Sequence, residues 1–165
     1  MHEIIFDNCV LSNFAMSDSL EVIRKLYGKS AYITDFVAAE NMKGIVQGYN
    51  GLADIKEAIL DGWLQEVTLH GKAEKDMFNS LSVSLGLGEA SSMAVARTRK
   101  YLFACDDRAA RKEADLLGIK LTGTVGILVK AIRTKVINNK KADEILKSMI
   151  RHGFYAPIGS VSEIL

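Results

Sequence analysis

The stretch Tyr101-Leu102-Phe103-Ala104-Cys105-Asp106-Asp107-Arg108 decides the fold that this sequence predicts. Its first five residues form a short apolar run that is typical of a buried strand, and two carboxylates end that run. A helical pattern then begins at Arg108. Open α/β sheets hold their ligands at the carboxyl ends of the strands, so we expect Asp106 and Asp107 to lie in such a site.

Three further acidic residues occur in comparable settings. Asp7 follows the apolar residues Ile4-Ile5-Phe6, Glu40 lies on a predicted helix, and Glu89 follows Leu85-Gly86-Leu87-Gly88. Carboxylate oxygens are ligands that hard divalent cations prefer. We therefore expect these acids to converge with the pair after residue 105 and to hold a divalent metal.

Each of these acids also has an ordinary structural explanation. Asp7 could cap the helix that follows it, and either Asp106 or Asp107 could cap the helix from Arg108. Glu89 suits the first turn of a helix, where the helix dipole favours a negative charge. Two adjacent acids nevertheless exceed what capping requires, since like charges this close repel unless a cation lies between them.

Glu40 is the most informative of the acids because of its neighbours on the helix. Helical spacing places it near Phe36, Val37 and Gly44, on or beside the apolar face. A carboxylate that faces a core is rare unless it is paired with Lys or Arg or bound to a metal. The sequence leaves both partners open.

An oxygen-only site of this kind suits Mg²⁺ or Mn²⁺, which take carboxylate and water ligands beside substrate phosphates. The three histidines, at positions 2, 70 and 152, are scattered and show no zinc-like spacing. Metal-bound carboxylates can activate water and neutralise charge during in-line displacement at a phosphodiester.

Size and composition set broader bounds. With 165 residues, of which 48% are hydrophobic and 25% charged, we expect one domain over residues 1–165. No apolar run approaches the roughly 18 residues of a membrane span, and the start lacks secretory features, so a cytoplasmic location without membrane contact is expected. Cys9 and Cys105 are too few for a disulfide framework and are expected to be small buried residues.

Charge is distributed unevenly between the two halves. Residues 1–86 carry 7 Lys and Arg against 12 Asp and Glu, a net −5, whereas residues 87–165 carry 14 against 8, a net +6. This asymmetry suits an acidic site next to a surface that meets a polyanion. From charge alone, the simpler explanation is favoured, namely that Lys and Arg coat solvated helices.

Short apolar strands alternate with helical patterns along the whole chain. The predicted strands cover residues 2–6, 31–33, 65–69, 101–105 and 119–121. Thr34 is predicted to cap a helix that runs to about residue 47. Alternation of this kind predicts an α/β fold with a mostly parallel sheet covered on both faces.

Four motifs together resemble the successive motifs of PIN-domain proteins. They are Ile4-Ile5-Phe6-Asp7-Asn8-Cys9-Val10-Leu11, Glu40, Gly88-Glu89-Ala90-Ser91-Ser92-Met93-Ala94-Val95-Ala96 and Cys105-Asp106-Asp107-Arg108-Ala109-Ala110-Arg111. The similarity is closest to the DUF3368 branch, in which the acidic pair leads into R-x-x-A-x-x-x-G and a TGT segment. Those elements are Arg111, Ala114 and Gly118, followed by Thr122-Gly123-Thr124, and Gly153-Phe154-Tyr155 resembles the family's close.

The resemblance implies a PIN-like, Rossmann-type α/β/α sandwich and a Mg²⁺- or Mn²⁺-dependent ribonuclease. Carried over by motif, Asp7 would be the first metal ligand, Glu40 the second acid and Glu89 the third. Asp107, with Asp106 beside it, would be the fourth. Many PIN proteins are toxins paired with an antitoxin, and many form homodimers.

Two positions depart from the family pattern. Cys9 stands where PIN domains usually carry Ser or Thr, which removes a hydroxyl from the site. Glu89 stands where many PIN nucleases carry Asp, which adds one methylene of reach. Neither departure removes a charge.

The sequence therefore favours a metal-dependent endoribonuclease in which Asp7, Glu40, Glu89 and Asp107 are catalytic, with RNA as substrate. The basic side chains that follow the acidic pair are candidate phosphate contacts, which would position RNA without reading its sequence. They are Arg108, Arg111 and Lys112. A catalytically weak PIN-like binding or regulatory protein, held by an antitoxin-like partner, is the first alternative, and a small α/β phosphatase is the second.

Overall fold

The computed structural model describes residues 2–165, and its centre is a five-stranded sheet. The strands are β1 (Ile4–Phe6), β2 (Ala31–Thr34), β3 (Leu64–Val67), β4 (Leu102–Ala104) and β5 (Leu121–Thr122). Every neighbouring pair is parallel, and the order across the sheet is β3-β2-β1-β4-β5. The predicted parallel sheet is confirmed, with strand ends that differ by a few residues from the predicted ones.

Nine α-helices flank the strands within residues 2–165. They are α1 (Asn8–Met16), α2 (Leu20–Tyr27), α3 (Asp35–Val46), α4 (Ala53–Leu60), α5 (Gly71–Leu81), α6 (Leu87–Arg99), α7 (Arg108–Leu116), α8 (Thr124–Arg133) and α9 (Asn139–Arg151). Three short 3-10 segments, Gly28–Ser30, Asn50–Leu52 and Val161–Ile164, complete the described secondary structure.

The sheet separates two hydrophobic cores because successive strand residues point to opposite faces. On β1, Ile4 and Phe6 pack in the first core and Ile5 packs in the second, and all three are fully buried. Helices α1, α2, α4, α8 and α9 cover the first core, whereas α5, α6 and α7 cover the second. Both faces are therefore covered, which confirms the predicted α/β/α sandwich.

Thr34, at the carboxyl end of β2, fixes the start of α3 and also contacts α6. The Thr34 hydroxyl accepts a hydrogen bond from the Val37 amide at 3.2 Å, so the predicted N-cap of α3 is confirmed. The same hydroxyl lies 2.8 Å from the Ser91 hydroxyl, which ties α6 to the end of β2. Residues 88 and 90–96 of α6 are all buried, and most of them are small, so this helix lies close against the sheet.

The strand order creates a crevice between β1 and β4. From β1 the chain proceeds to β2 and β3 on one side, and then crosses to β4 and β5 on the other. Ligands of open α/β sheets bind outside the carboxyl ends of the strands at such a switch point. Asp7 follows β1 there, and its amide donates to the Ala104 carbonyl at 2.9 Å, beside the acids that follow β4.

Candidate functional site

Asp7 is the most deeply buried acid of the predicted site. It is 2% exposed and occupies the N-cap position of α1, yet its side chain makes no capping hydrogen bond. Its Oδ2 atom is buried without any hydrogen-bond partner within residues 2–165. The capping explanation for Asp7 is therefore wrong. A buried, unpartnered carboxylate oxygen is costly, and its presence requires another explanation.

The surroundings of Asp7 oppose its ionisation. Burial, and after it the charge of Glu89, raise the pKa of Asp7 to about 7, with smaller contributions from Glu40 and Asp107. The hydrogen bond from the Asn8 backbone lowers the pKa but does not offset these effects. The charges of Glu89, Glu40 and Asp107 thus all oppose the ionisation of Asp7.

Glu89 lies in the first turn of α6 and is half-buried. Burial raises its pKa most, followed by the charge of Asp107 and then that of Glu40, while the Gly86 backbone hydrogen bond lowers it. The position near the helix N-terminus agrees with the dipole explanation. That explanation does not account for two other carboxylates acting on the same residue.

Glu40 is exposed as a residue, so of the two expected positions, on or beside the apolar face of α3, only the second remains. Its Oε1 atom accepts a hydrogen bond from the Gly88 amide at 3.1 Å, which ties α3 to the start of α6. Partial burial of the carboxyl end raises its pKa, and the Gly88 hydrogen bond opposes this rise. A methyl group on Gly88 would overlap the Glu40 carboxylate where it now lies, so glycine at this position leaves room for the hydrogen bond.

The two acids after β4 have different partners. Asp107 caps α7 by accepting a hydrogen bond from the Ala110 amide at 2.9 Å, so the capping explanation holds for this residue. Its charge also acts on both Asp7 and Glu89.

Asp106 is instead held by the start of α8. Its Oδ1 accepts from the Thr124 amide at 2.9 Å, and its Oδ2 accepts from the Thr124 hydroxyl at 2.5 Å and the Asn13 amide at 3.3 Å. A Cβ on Gly123 would lie 2.5 Å from Asp106 Oδ1, so glycine is needed for this contact as well. Asn13 and Thr124 were not predicted as site residues, although the TGT segment was recognised.

Arg111 donates hydrogen bonds to the protein backbone. Its Nη1 donates to the carbonyl of Cys105 at 2.7 Å and to the carbonyl of Thr122 at 3.0 Å, which joins the carboxyl ends of β4 and β5. This use of Arg111 was not foreseen from the sequence. Arg108 and Lys112 are exposed on α7, as a contact with phosphate requires.

The two cysteines differ in exposure. Cys105 is buried as predicted, whereas Cys9 is exposed, so the expectation for Cys9 is wrong. Its place on α1 next to the buried Asp7 leaves the thiol at the surface, although partial burial, followed by the charge of Asp7, raises its pKa to about 12. Burial raises the pKa of Cys105 as well. Both thiols therefore stay protonated near neutral pH and lack nucleophilic character.

A cavity of about 470 Å³ adjoins Glu40 and is lined mainly by α1, α3 and the segment after α3. Its walls include Glu40 together with Asn8, Asn13, Lys43 and Tyr49. The Asn8 Oδ1 atom is buried without a partner within residues 2–165. Glu40 thus lies beside a cleft with amide, aromatic and cationic side chains, which the sequence did not reveal.

The fit of a divalent metal can be judged from these contacts. None of the five acids forms an ion pair with Lys, Arg or His in residues 2–165. In the same residues, no three His, Cys, Asp or Glu side chains lie at ligand spacing. The donors are all carboxylate oxygens, and the unpartnered Oδ2 of Asp7 is free to accept a cation. The residues therefore fit a hard cation such as Mg²⁺ or Mn²⁺ in chemistry and charge, without a preformed cage.

The comparison with known families agrees with this geometry. The DUF3368 family, which is described as a PIN domain, matches residues 3–165. The chain belongs to the PIN-domain family. PIN domains are generally nucleases that bind nucleic acid and use divalent metals, which identifies the protein as a member of a nuclease family. No curated protein matches the chain.

The helices add one further finding. Within residues 2–165, every helix falls short of the length and apolar character that a membrane crossing needs.

Proposed function

We propose that this PIN-domain protein is a Mg²⁺- or Mn²⁺-dependent endoribonuclease whose acidic edge is the active site. The acidic edge consists of Asp7, Glu40, Glu89, Asp106 and Asp107. The observation that carries the proposal is the buried, unpartnered Oδ2 of Asp7, surrounded by carboxylates and by no cation of the described chain.

The acids have distinct functions in this proposal. Asp7, Glu40, Glu89 and Asp107 hold the cation, and burial of Asp7 strengthens its interaction with a positive charge. Asp106 positions the start of α8 through its hydrogen bonds to Thr124. A bound cation would neutralise the acids, lower the pKa of water and polarise the phosphodiester.

The surroundings of the acidic edge suit a strand of RNA. Arg108 and Lys112 are exposed one helix onward and would contact phosphates without reading the base sequence. The cleft beside Glu40 offers Lys43 for a phosphate and Tyr49 for a base, since single-stranded RNA is bound by cations and stacking rings.

A catalytically weak PIN-like binding or regulatory protein is the second candidate. The observation that favours it is the lack of three ligand side chains at metal spacing in residues 2–165. The Cys9 thiol next to Asp7, where PIN domains usually carry a hydroxyl, also favours this candidate.

Three features of the biological setting belong to the same proposal and rest on the family resemblance. The chain functions as one domain over residues 1–165 in the cytoplasm, it forms a homodimer, and an antitoxin-like protein restrains it. Light scattering on the purified protein tests the dimer, and a monomer at micromolar concentration would contradict it.

The test of the nuclease is RNA cleavage by purified protein in Mn²⁺ or Mg²⁺, with EDTA as the metal-free control. Asp7→Asn should lower cleavage by at least about 100-fold, because it removes a charged ligand. Asp61→Asn is the matched control, since Asp61 is exposed and lies outside the acidic edge, and it should cleave as the wild type does.

The remaining outcomes separate the candidates. Cleavage that survives in Asp7→Asn would overturn the assignment of the site or reveal a contaminant. No cleavage of varied RNAs, together with Mn²⁺ binding that Asp7→Asn removes, would favour the binding protein. Hydrolysis of a simple phosphomonoester without action on RNA would favour a phosphatase.

A further inference from the structure

A second cavity lies at the opposite edge of the sheet from the acids. It has a volume of about 390 Å³, which lies within the range of small-ligand sites. Its wall includes Leu102 at the start of β4 and Lys120 just before β5, whereas the acids follow the ends of strands. Leu102 and Asp106 are four residues apart, which corresponds to about 13 Å along a strand. The two sites are therefore separate.

The side chains around this cavity are strongly basic. We call it the basic pocket, and its basic lining residues are His2, Arg97, Lys100, Lys120 and Lys130. No Asp or Glu lines it. None of the five forms an ion pair with a carboxylate in residues 2–165. Lys130 lies 4.4 Å from the centre of the Tyr27 ring, so an aromatic ring contacts its charge. Such a concave basic surface attracts anions.

Helix dipoles explain part of this charge. Arg97 and Lys130 lie in the last turns of α6 and α8, where cations are favoured. Lys100 and Lys120 lie outside the helices. Lys100 also has φ of 59°, in the left-handed region that favours glycine, so the backbone gives no reason for a lysine there. Helix dipoles also do not explain why these basic side chains line a cavity.

The uncharged part of the wall is apolar and includes an aromatic ring. Tyr101, Leu102 and Ile119 contribute to it. The Tyr101 ring is fixed by stacking on Tyr32, with ring centroids 4.9 Å apart and an interplanar angle of 27°. A ligand that satisfies this pocket needs both negative charge and an apolar, planar body.

We propose that the basic pocket binds one phosphorylated nucleotide unit, with the phosphate between Lys100 and Lys120 and the base against the apolar wall. The volume is large enough for a single nucleotide unit. The unit can come from a free mononucleotide or from the phosphorylated end of an RNA strand, which present the same chemistry. This proposal does not use the acidic edge, so it stands or falls independently of the nuclease.

The test is a titration of the isotope-labelled full chain with the four nucleoside 5′-monophosphates, followed by amide NMR shifts in EDTA. EDTA removes binding to the acidic edge through a metal. At least one nucleotide should bind and shift the amides of Tyr101, Leu102 and Ile119. The corresponding nucleoside and inorganic phosphate should each bind at least tenfold more weakly, because each lacks half of the ligand.

Charge variants identify the phosphate site. The double variant Lys100→Gln, Lys120→Gln should raise the nucleotide Kd at least tenfold. The matched control, Lys56→Gln with Lys147→Gln, removes two exposed lysines that do not line the pocket and should bind as the wild type does. Equal loss in both double variants would show nonspecific charge attraction and overturn the proposal, as would an absence of binding by all four nucleotides.

A final comparison distinguishes the two sources of the nucleotide. It uses a short RNA with a 5′-phosphate and the same RNA with a 5′-hydroxyl, on Asp7→Asn protein to prevent cleavage. Tighter binding of the phosphorylated RNA than of the mononucleotide assigns the pocket to strand ends. Weaker binding assigns it to free nucleotides. Binding of both RNAs with equal affinity, without shifts around the pocket, contradicts the proposal.

Discussion

The two edges of the central sheet carry opposite charge in different physical settings. At the carboxyl edge, the acid Asp7 is 2% exposed, and burial with neighbouring acids raises its pKa to about 7. At the amino edge, Lys100 and Lys120 are exposed, so water screens their mutual repulsion. Burial and the neighbouring acids therefore oppose ionisation at the acidic edge, whereas Lys100 and Lys120 lie in water.

A third region of the molecule contains a buried carboxylate that contributes to stability. Glu74 of α5 is 4% exposed, and its carboxylate accepts hydrogen bonds from the Arg99 guanidinium at 2.7 and 3.1 Å. Thr98 and the His70 amide donate to it as well. This buried acid has a complete set of partners. Asp7 lacks such partners, so stability does not explain its position.

The largest expected effect is the pH dependence of the metal-free protein. A pKa of about 7 for Asp7, in place of an ordinary value of about 4, corresponds to about 4 kcal/mol against the charged form. Because the folded state holds this proton more tightly, stability should fall as the pH rises from about 4 to about 7. Glu40, Glu89 and Asp107 face the same site and act in the same direction.

Thermal or urea unfolding in EDTA between pH 5 and pH 8 measures this effect. Added Mn²⁺ should restore stability at pH 8 more than at pH 5, since protonation of Asp7 opposes cation binding. Stability that rises steadily towards pH 8 in EDTA would show that Asp7 is not strained by burial.

The next effect is a gain of stability on removal of the buried charge. Asp7→Asn should stabilise the metal-free protein by roughly 2–3 kcal/mol at pH 8, less than the full cost of the charge because the amide is also buried. Mn²⁺ should no longer raise its melting temperature. Asp61→Asn, at an exposed position, should change neither property.

The paired carboxylate should respond in the opposite direction. Glu74→Gln should destabilise the protein by about 2 kcal/mol at pH 7, because it leaves Arg99 without its charged partner. Burial alone would raise the pKa of Glu74, but the Arg99, His70 and Thr98 hydrogen bonds together lower it. This stabilisation is present above the ordinary pKa of Glu and is lost as the pH falls through the lower folded value.

Urea unfolding of Glu74→Gln and wild type at pH 7 and pH 3 measures the difference. The two proteins should approach equal stability at the lower pH. An unchanged stability at pH 7 would mean that the pair only offsets its own desolvation.

The smallest effect on stability should come from substitutions in the basic pocket. Lys100→Gln with Lys120→Gln should change stability by about 0.5 kcal/mol or less, because exposed charges interact weakly in water. The same unfolding measurement tests this, with Lys56→Gln and Lys147→Gln as the reference. A gain in stability comparable to that of Asp7→Asn would show that the charges at the two edges do not differ in their cost to the folded state.

Much of the fold could be predicted because its signals are local. An apolar run that ends in carboxylates, as at residues 101–107, marks a buried strand and the edge at which it ends. The N-cap at Thr34 is equally local and was confirmed. Helical spacing was a less reliable guide to the burial of Glu40, which is exposed. Its carboxylate accepts a hydrogen bond from the Gly88 amide at the start of α6.

The sequence by itself determined the strand–acid pattern, the α/β class and the family. Tertiary structure decided which charges have partners. The order β3-β2-β1-β4-β5 brings Thr124 to Asp106 and the Thr122 carbonyl to Arg111, and leaves Asp7 without a partner. The same order gathers the basic pocket from residues as distant in sequence as His2 and Lys130. The residues adjacent in sequence do not indicate such contacts, because strand order and packing set the distances between the contacting residues. Capping and strand patterns, by contrast, depend on a few adjacent residues.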